Sequence, residues 1–176
     1  MKALFLDRDG TLIEDTHYLH KPEEVKLIPR VQEALKTALE KEYQLFLFTN
    51  QSGIGRGYYT LEDTIACNEE MTRQLNLGPN LFKDICIAPE APEQPQNYRK
   101  PSPKFILEMI SQHNLDASKS WMIGDRLSDL EAGKSGKVQP AFVETGKPLN
   151  EETRNYIQQN SIPVFKDFFD LVETLD

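Results

Sequence analysis

The feature that most constrains this chain is an alternation: short apolar runs separated by longer segments of helical spacing, with each run breaking off into small polar or acidic side chains. The runs fall at residues 3–6, 44–48, 84–88, 121–124 and 139–144. Between them, Val31, Ala34, Leu35, Ala38 and Leu39 share one helical face, as do Leu61, Ile65, Met71 and Leu75, and then Phe105, Ile106, Met109 and Ile110. Strands that alternate with helices imply right-handed crossovers and a mainly parallel sheet with helices on both faces. The expected fold is a Rossmann-like three-layer α/β/α sandwich. In such sheets ligands bind outside the carboxyl ends of the strands, at the crevice where strand order reverses. The polar clusters should therefore meet on one rim of the molecule.

The first run ends in Asp7-Arg8-Asp9-Gly10-Thr11. Side chains alternate along an extended segment, so Asp7 and Asp9 should project to the same side and need a cation or a shared proton between them. Gly10 supplies the positive φ of a sharp turn. Two acids at a strand end suit Mg²⁺, a hard ion that takes oxygen ligands, and one carboxylate beside a phosphate can attack phosphorus while the other handles a proton. A surface turn would also account for these residues taken alone. The second run leads into Thr49-Asn50-Gln51-Ser52-Gly53-Ile54-Gly55-Arg56-Gly57. Here hydroxyl and amide donors, a guanidinium and three glycines offer phosphate-binding chemistry, with backbone N–H groups free to approach a ligand. Prolines stiffen residues 89–95 and deliver Arg99-Lys100-Pro101 to a helix start, the end of a helix that favours anions. The fourth run ends in Asp125-Arg126-Leu127-Ser128-Asp129. Helices are also expected near 151–160 and 167–175, with an edge strand at 163–165.

A chain of 176 residues is expected to fold as one domain, residues 1–176, and to act as a monomer. A net charge of −8 argues against nucleic acid as a partner, because nucleic-acid sites show as basic stripes. Any phosphate site must then be locally basic or metal-assisted. Cys67 and Cys86 are too few for a disulfide framework, which fits a reduced, cytoplasmic compartment, and no apolar run has the length of a membrane span. His17 and His20 in the irregular stretch after the first turn read as loop residues rather than metal ligands, since no cysteine accompanies them.

Asp7-Arg8-Asp9-Gly10-Thr11, Thr49, Lys100 and Gly124-Asp125 with Asp129 resemble, in order, the four motifs of the haloacid dehalogenase-like (HAD) phosphatases. The strings Thr49 to Ile54 with Arg56-Gly57, Arg99-Lys100-Pro101 and Thr145-Gly146-Lys147-Pro148 are similar to those of the heptose 1,7-bisphosphate and histidinol-phosphate phosphatases within that superfamily. The resemblance implies a phosphomonoester hydrolase with an aspartyl-phosphate intermediate, acting on the C7 phosphate of D-glycero-D-manno-heptose 1,7-bisphosphate. It implies Asp7 as nucleophile and Asp9 as general acid and then base. Mg²⁺ would be held by Asp7, the Asp9 carbonyl and Asp125, and Thr49 and Lys100 would stabilise the transferring group. Asp15, Thr16, His17, Tyr18, Asn50, Gln51, Ser52, Arg99 and Arg126 fall at substrate-contacting positions, and Arg56 adds a fixed charge beside them. Asp129 is expected to position the metal's surroundings rather than to bind it.

One departure stands out. Members of this group carry a Cys/His zinc loop before the Arg-Lys-Pro string, whereas residues 88–98 contain neither residue. No zinc is expected, and a proline-braced loop should take its place. The inserts after the first and third strands are too small for a separate cap domain, so an open site and a small phosphorylated metabolite are expected. A histidinol-phosphate phosphatase, a nucleic-acid 3′-phosphatase and a phosphosugar-binding regulator without turnover are the alternatives.

Overall fold

The computed structural model describes residues 1–176. Its elements follow the chain as β1 (Lys2–Leu6), α1 (Val31–Glu40), β2 (Tyr43–Asn50), α2 (Ser52–Gly55), α3 (Leu61–Leu75), β3 (Asp84–Ala88), α4 (Lys104–His113), β4 (Trp121–Gly124), α5 (Leu127–Ser135), β5 (Gln139–Val143), α6 (Glu151–Asn160), β6 (Val164–Phe165) and α7 (Phe168–Thr174). The six strands form one sheet in the order β3-β2-β1-β4-β5-β6, and every pairing is parallel. The order reverses between β1 and β4, where Leu6 lies against Ile123 and the Asp7 N–H donates to the Ile123 carbonyl at 3.0 Å. The end of β1 and the end of β4 therefore stand side by side at the crevice that parallel sheets use for ligands.

Strand alternation divides the core. Leu4 and Leu6 of β1 and Leu45 and Leu47 of β2 pack with α1 and α7 residues such as Leu35 and Phe168 on one face. The intervening Ala3, Phe5, Phe46 and Phe48 face the other way, with Phe105, Ile106 and Met109 of α4. Phe5 stacks on Phe46 at 5.0 Å between ring centroids, and Phe105 meets Phe5 edge-on at 6.1 Å. Both faces of β1 are buried, which explains why its sequence is continuously apolar rather than alternating. This is the expected Rossmann-like α/β/α fold, and it has no separate cap domain: the β1–α1 connection holds only a single 3-10 turn, Pro22–Glu24.

Three local features of these elements have simple causes. Helix α3 stops at Leu75, because Asn76 adopts a left-handed conformation (φ 49°) and its N–H closes onto Thr72. Its start is fixed by Thr60 and Asp63, which form a reciprocal capping box. The glycine-rich stretch after β2 is not loop throughout but contains one helical turn, α2. Pro29 precedes the cap of α1, since Arg30 (φ 65°) is the capping residue.

Candidate active site

The turn after β1 is built around the Arg8 carbonyl, which accepts the N–H groups of Thr11, Leu12 and Ile13 at 3.3, 2.9 and 3.1 Å. This leaves the Asp9 carbonyl without a backbone partner. Gly10 turns the chain at φ +83°, and a Cβ there would press on the Asp125 carboxylate. The conflict between Asp7 and Asp9 is resolved by giving each its own buried cation. Lys100 Nζ lies 2.9 Å from Asp7 Oδ1. Arg8 grips Asp9 through Nε to Oδ2 at 3.0 Å and Nη2 to Oδ1 at 3.1 Å, while its Nη1 donates to Asn68 Oδ1 of α3 at 3.0 Å. An arginine between two acids in a turn reads as a surface residue, yet Arg8 is 0% exposed.

Lys100 arrives from the loop after β3 and is 2% exposed. Its three ammonium protons face three acceptors: Asp7 Oδ1, Asp129 Oδ1 at 2.6 Å and the Phe48 carbonyl at 2.8 Å. Asn50 clamps its backbone from both sides, accepting the Lys100 N–H at 2.9 Å and donating to the Lys100 carbonyl at 3.1 Å. Burial lowers the basicity of the ammonium, but the carboxylates of Asp129 and Asp7 outweigh it and raise its pKa. Asp7 is shifted up by burial against the pull of Lys100, with Asp129 adding to the rise. Asp125 is pushed up to about 7 by burial and by the charges of Asp7 and Asp129.

Asp7, Asp125 and Asp129 each place a carboxylate oxygen within 4.8 Å of the others. The three are not equivalent. Asp129 has both oxygens engaged, Oδ1 by Lys100 and Oδ2 by the Arg126 N–H at 2.9 Å. Asp125 Oδ2 accepts the Lys147 N–H at 2.6 Å, while Oδ1 is buried without a hydrogen-bond partner and has only Arg126 Nε at 3.9 Å. A buried carboxylate oxygen left bare in an acidic cluster is the environment a divalent metal relieves, and all the donors present are oxygens. The cluster is thus consistent with a divalent-metal site.

A cavity of about 140 Å³ opens onto this cluster. Of the residues expected to meet substrate, Asp15, His17, Tyr18, Asn50, Gln51, Ser52, Arg99 and Arg126 line it together with Asp7, Asp9 and Lys100. Thr16 and Arg56 do not line it. Arg56 turns instead to Glu93, 3.3 Å away. Thr49 is fully buried behind Gln51, whose amide donates to its hydroxyl oxygen at 2.8 Å. The glycines of the second motif are spent on packing: Gly53 lies under the Tyr59 ring and Gly55 against the Pro89–Ala91 backbone. The Gly55 and Gly57 N–H groups already donate to Pro89 and Ile54, so they offer no phosphate cradle. The loop after β3 is closed by Glu90, whose Oε1 accepts the Asn97 and Tyr98 N–H groups at 2.8 and 2.9 Å. Arg99 hangs from that loop by a 3.1 Å bond to the Glu90 carbonyl. The sequence marked Lys147 only as part of the Thr145–Pro148 string and gave it no role, yet with Arg126 it holds Asp15 at 3.0 Å; it did not point to Tyr59, which donates to Gln51 Oε1 at 2.8 Å.

A HAD-hydrolase-like family model matches residues 97–171. A D-glycero-β-D-manno-heptose-1,7-bisphosphate 7-phosphatase from Helicobacter pylori is 38% identical over 179 residues, spanning 98% of each chain. The chain belongs to the heptose-1,7-bisphosphate phosphatase family of HAD phosphatases. An α-anomer 7-phosphatase of Photorhabdus laumondii is 31% identical over 92% of this chain and 93% of its own. In structure, the D,D-heptose 1,7-bisphosphate phosphatase of B. bronchiseptica complexed with magnesium and phosphate superposes with a TM-score of 0.85 over 98% of this chain and 97% of that one, at 26% identity. The chain is thus a phosphatase, and its acidic cluster lies at the crevice where the strand order of its sheet reverses. No helix is long and apolar enough to cross a membrane.

Proposed function

We propose that this HAD phosphatase removes the C7 phosphate of D-glycero-D-manno-heptose 1,7-bisphosphate, with Asp7 as the nucleophile. The observation that carries the role of Asp7 is the asymmetry of its carboxylate. Oδ1 is occupied by Lys100 Nζ and by the Arg8 N–H at 2.8 Å, whereas Oδ2 makes no hydrogen bond or ion pair. That leaves one oxygen held and the other free to attack phosphorus, giving an aspartyl-phosphate and a departing alkoxide. Asp9, at the cavity wall, gives the alkoxide its proton and then takes one from the water that hydrolyses the acyl phosphate. Lys100 stabilises charge on the phosphoryl oxygens, while Thr49, buried behind Gln51, holds the Gln51 amide from the protein side.

Asp7, Asp125 and the Asp9 carbonyl would hold Mg²⁺, which when bound neutralises charge on the transferring group. Asp129 keeps Lys100 and the start of α5 in place. The loop over residues 89–98 is closed by Glu90 and its own backbone and works without zinc. Arg99 has no carboxylate partner and lines the cavity together with Arg126, so the pair forms a cationic rim for the sugar and its second phosphate. Asp15, Thr16, His17, Tyr18, Asn50, Gln51 and Ser52 complete the contacts, with Arg56 adding charge from outside the cavity. The substrate assignment rests on the names of the relatives and on this rim. The enzyme acts as one domain and as a monomer, and two free, buried cysteines suit a reduced cytoplasm.

The test is phosphate release with Mg²⁺ across heptose 1,7-bisphosphate, histidinol phosphate and a panel of sugar monophosphates. A kcat/KM preference of about a hundredfold or more for the heptose bisphosphate, ~2.7 kcal/mol of transition-state discrimination, is expected. Uniformly weak rates would overturn the heptose assignment. Asp7→Asn should abolish turnover while leaving the fold intact, whereas full turnover by that variant would remove Asp7 from its role.

A further inference from the structure

Gln51 is 3% exposed, and every polar atom of its amide is committed. Nε2 donates to Asp9 Oδ2 at 2.9 Å and to Thr49 Oγ1 at 2.8 Å. Its two protons are then used, and Oε1 requires a donor. Tyr59 supplies it through its hydroxyl at 2.8 Å. The phenol is suited to that task, because burial pushes its pKa up to about 12 and keeps the proton in place.

The Tyr59 ring is itself fixed. It covers Gly53, where any Cβ would run into the ring edge, and stacks on the His20 imidazole at 5.7 Å with an interplanar angle of 5°. Tyr18, on the same loop as His20, leans on it at 6.5 Å between centroids. Tyr18 and its neighbour His17 both hold left-handed backbone, with φ of 58° and 60°, a conformation that side chains other than glycine adopt at a cost.

We propose that Tyr59 is a positioning residue for the acid Asp9, acting through the Gln51 amide. The inference rests on the reading of Asp9 as the general acid and base. Arg8 holds both oxygens of Asp9 from the protein side, and the Gln51 donation is the second anchor, on the cavity side. Without the Tyr59 hydroxyl, Oε1 is left buried and bare, and the terminal amide torsion, which is intrinsically broad, is free to turn its donors away. Asp9 then swings about the Arg8 fork instead of pointing at the leaving group.

The experiment compares an alkyl phosphate, glucose 6-phosphate, with p-nitrophenyl phosphate, using the Mg²⁺-loaded enzyme. An alkoxide needs a proton in order to leave and p-nitrophenolate does not, so the ratio of the two kcat/KM values, which end at leaving-group departure and exclude the shared hydrolysis of the acyl phosphate, reports the acid specifically. Asp9→Asn should lower that ratio by about a hundredfold or more. Tyr59→Phe keeps the ring and should lower it about tenfold, with KM for either substrate unchanged within about twofold. Gln51→Leu cuts the same link from the other end, and adding Tyr59→Phe to it should cause no further fall in the ratio. Thermal melts of each variant establish that it folds. The proposal is overturned if Tyr59→Phe slows both substrates equally or leaves the ratio unchanged while Asp9→Asn lowers it. If Asp9→Asn itself leaves the ratio unchanged, the acid role of Asp9 falls, and the role of Tyr59 falls with it.

Discussion

Lys100→Met tests the electrostatics of the site most directly. Methionine keeps the length of the side-chain stem, and the Asn50 clamp on the backbone of residue 100 does not depend on the side chain. What is lost is the ammonium. Asp7 Oδ1, Asp129 Oδ1 and the Phe48 carbonyl, now held at 2.9, 2.6 and 2.8 Å, are left facing an apolar stem, and the three acids within 4.8 Å of one another have no buried cation among them. Removing one partner of a buried ion pair costs ~3–5 kcal/mol. For a domain of this size each kcal/mol shifts the melting midpoint by about 2–4 °C, so a fall of roughly 6–20 °C is expected without metal.

The pH dependence gives the sharper test. The raised pKa of Lys100 means that its contribution is present throughout neutral pH and is lost only above its ordinary 10.5. The acids supply the slope. Asp7 and Asp125 bind protons more tightly folded than unfolded, so protonation favours the native state as pH falls. With the ammonium gone, that uptake relieves more repulsion. The gap between wild type and Lys100→Met should be widest at pH 8 and should narrow towards pH 5 in thermal melts with a chelator present. A variant as stable as wild type at pH 8, or a gap that widens on acidification, would refute the ion-pair account.

Three further outcomes follow from the same geometry. Saturating Mg²⁺ should raise the melting midpoint of the wild type more at pH 8 than at pH 6, because below about 7 the ion must displace a proton from Asp125; at a hundred times its Kd the gain is ~2.7 kcal/mol. Gly146→Ala places a methyl group against the Asp125 carboxylate and disturbs the Lys147 N–H that orients it, so calorimetry should show Mg²⁺ affinity reduced by about tenfold or more. Arg8→Met leaves Asp9 and Asn68 without their buried donor and should cost ~3 kcal/mol in denaturant unfolding, whereas Arg126→Met, at a half-exposed pair, should cost less than ~1 kcal/mol.

The parts of the site legible in the sequence were those that lie at strand ends. Asp7, Thr49 and Asp125 each follow an apolar run directly, and a parallel sheet brings such positions to one rim whatever the loops do. Lys100 was visible through the Arg-Lys-Pro string. The less legible parts depend on contacts between distant segments. Arg8 is paired with Asn68, sixty positions away, and nothing in a turn sequence marks a guanidinium that points inward to a helix. The glycines show the reverse error. A run of three suggested backbone open to a phosphate, but Gly53 and Gly55 lack side chains because Tyr59 and the loop after β3 occupy that space. A missing Cβ records close approach without naming what approaches.

The charge of the chain poses a final question: how a protein with a net charge of −8 receives an anion. The answer lies in how the site's charges are paired. Lys100 is shared by Asp7 and Asp129, Asp9 is matched by Arg8, and Asp15 by Arg126 and Lys147 together. Two groups are left over. Asp125 has one oxygen with no partner nearer than Arg126 Nε at 3.9 Å, and Arg99 has a backbone carbonyl but no carboxylate. The pKa of Arg99 is lowered by burial and by repulsion from Arg126, so an arriving anion relieves strain there just as a divalent cation relieves it at Asp125. The site therefore carries a surplus of negative charge at its metal end and of positive charge at its rim. A phosphoester spanning the two satisfies both, while the acidic exterior, screened beyond about 8 Å at physiological salt, exerts little force on a ligand already inside the cavity.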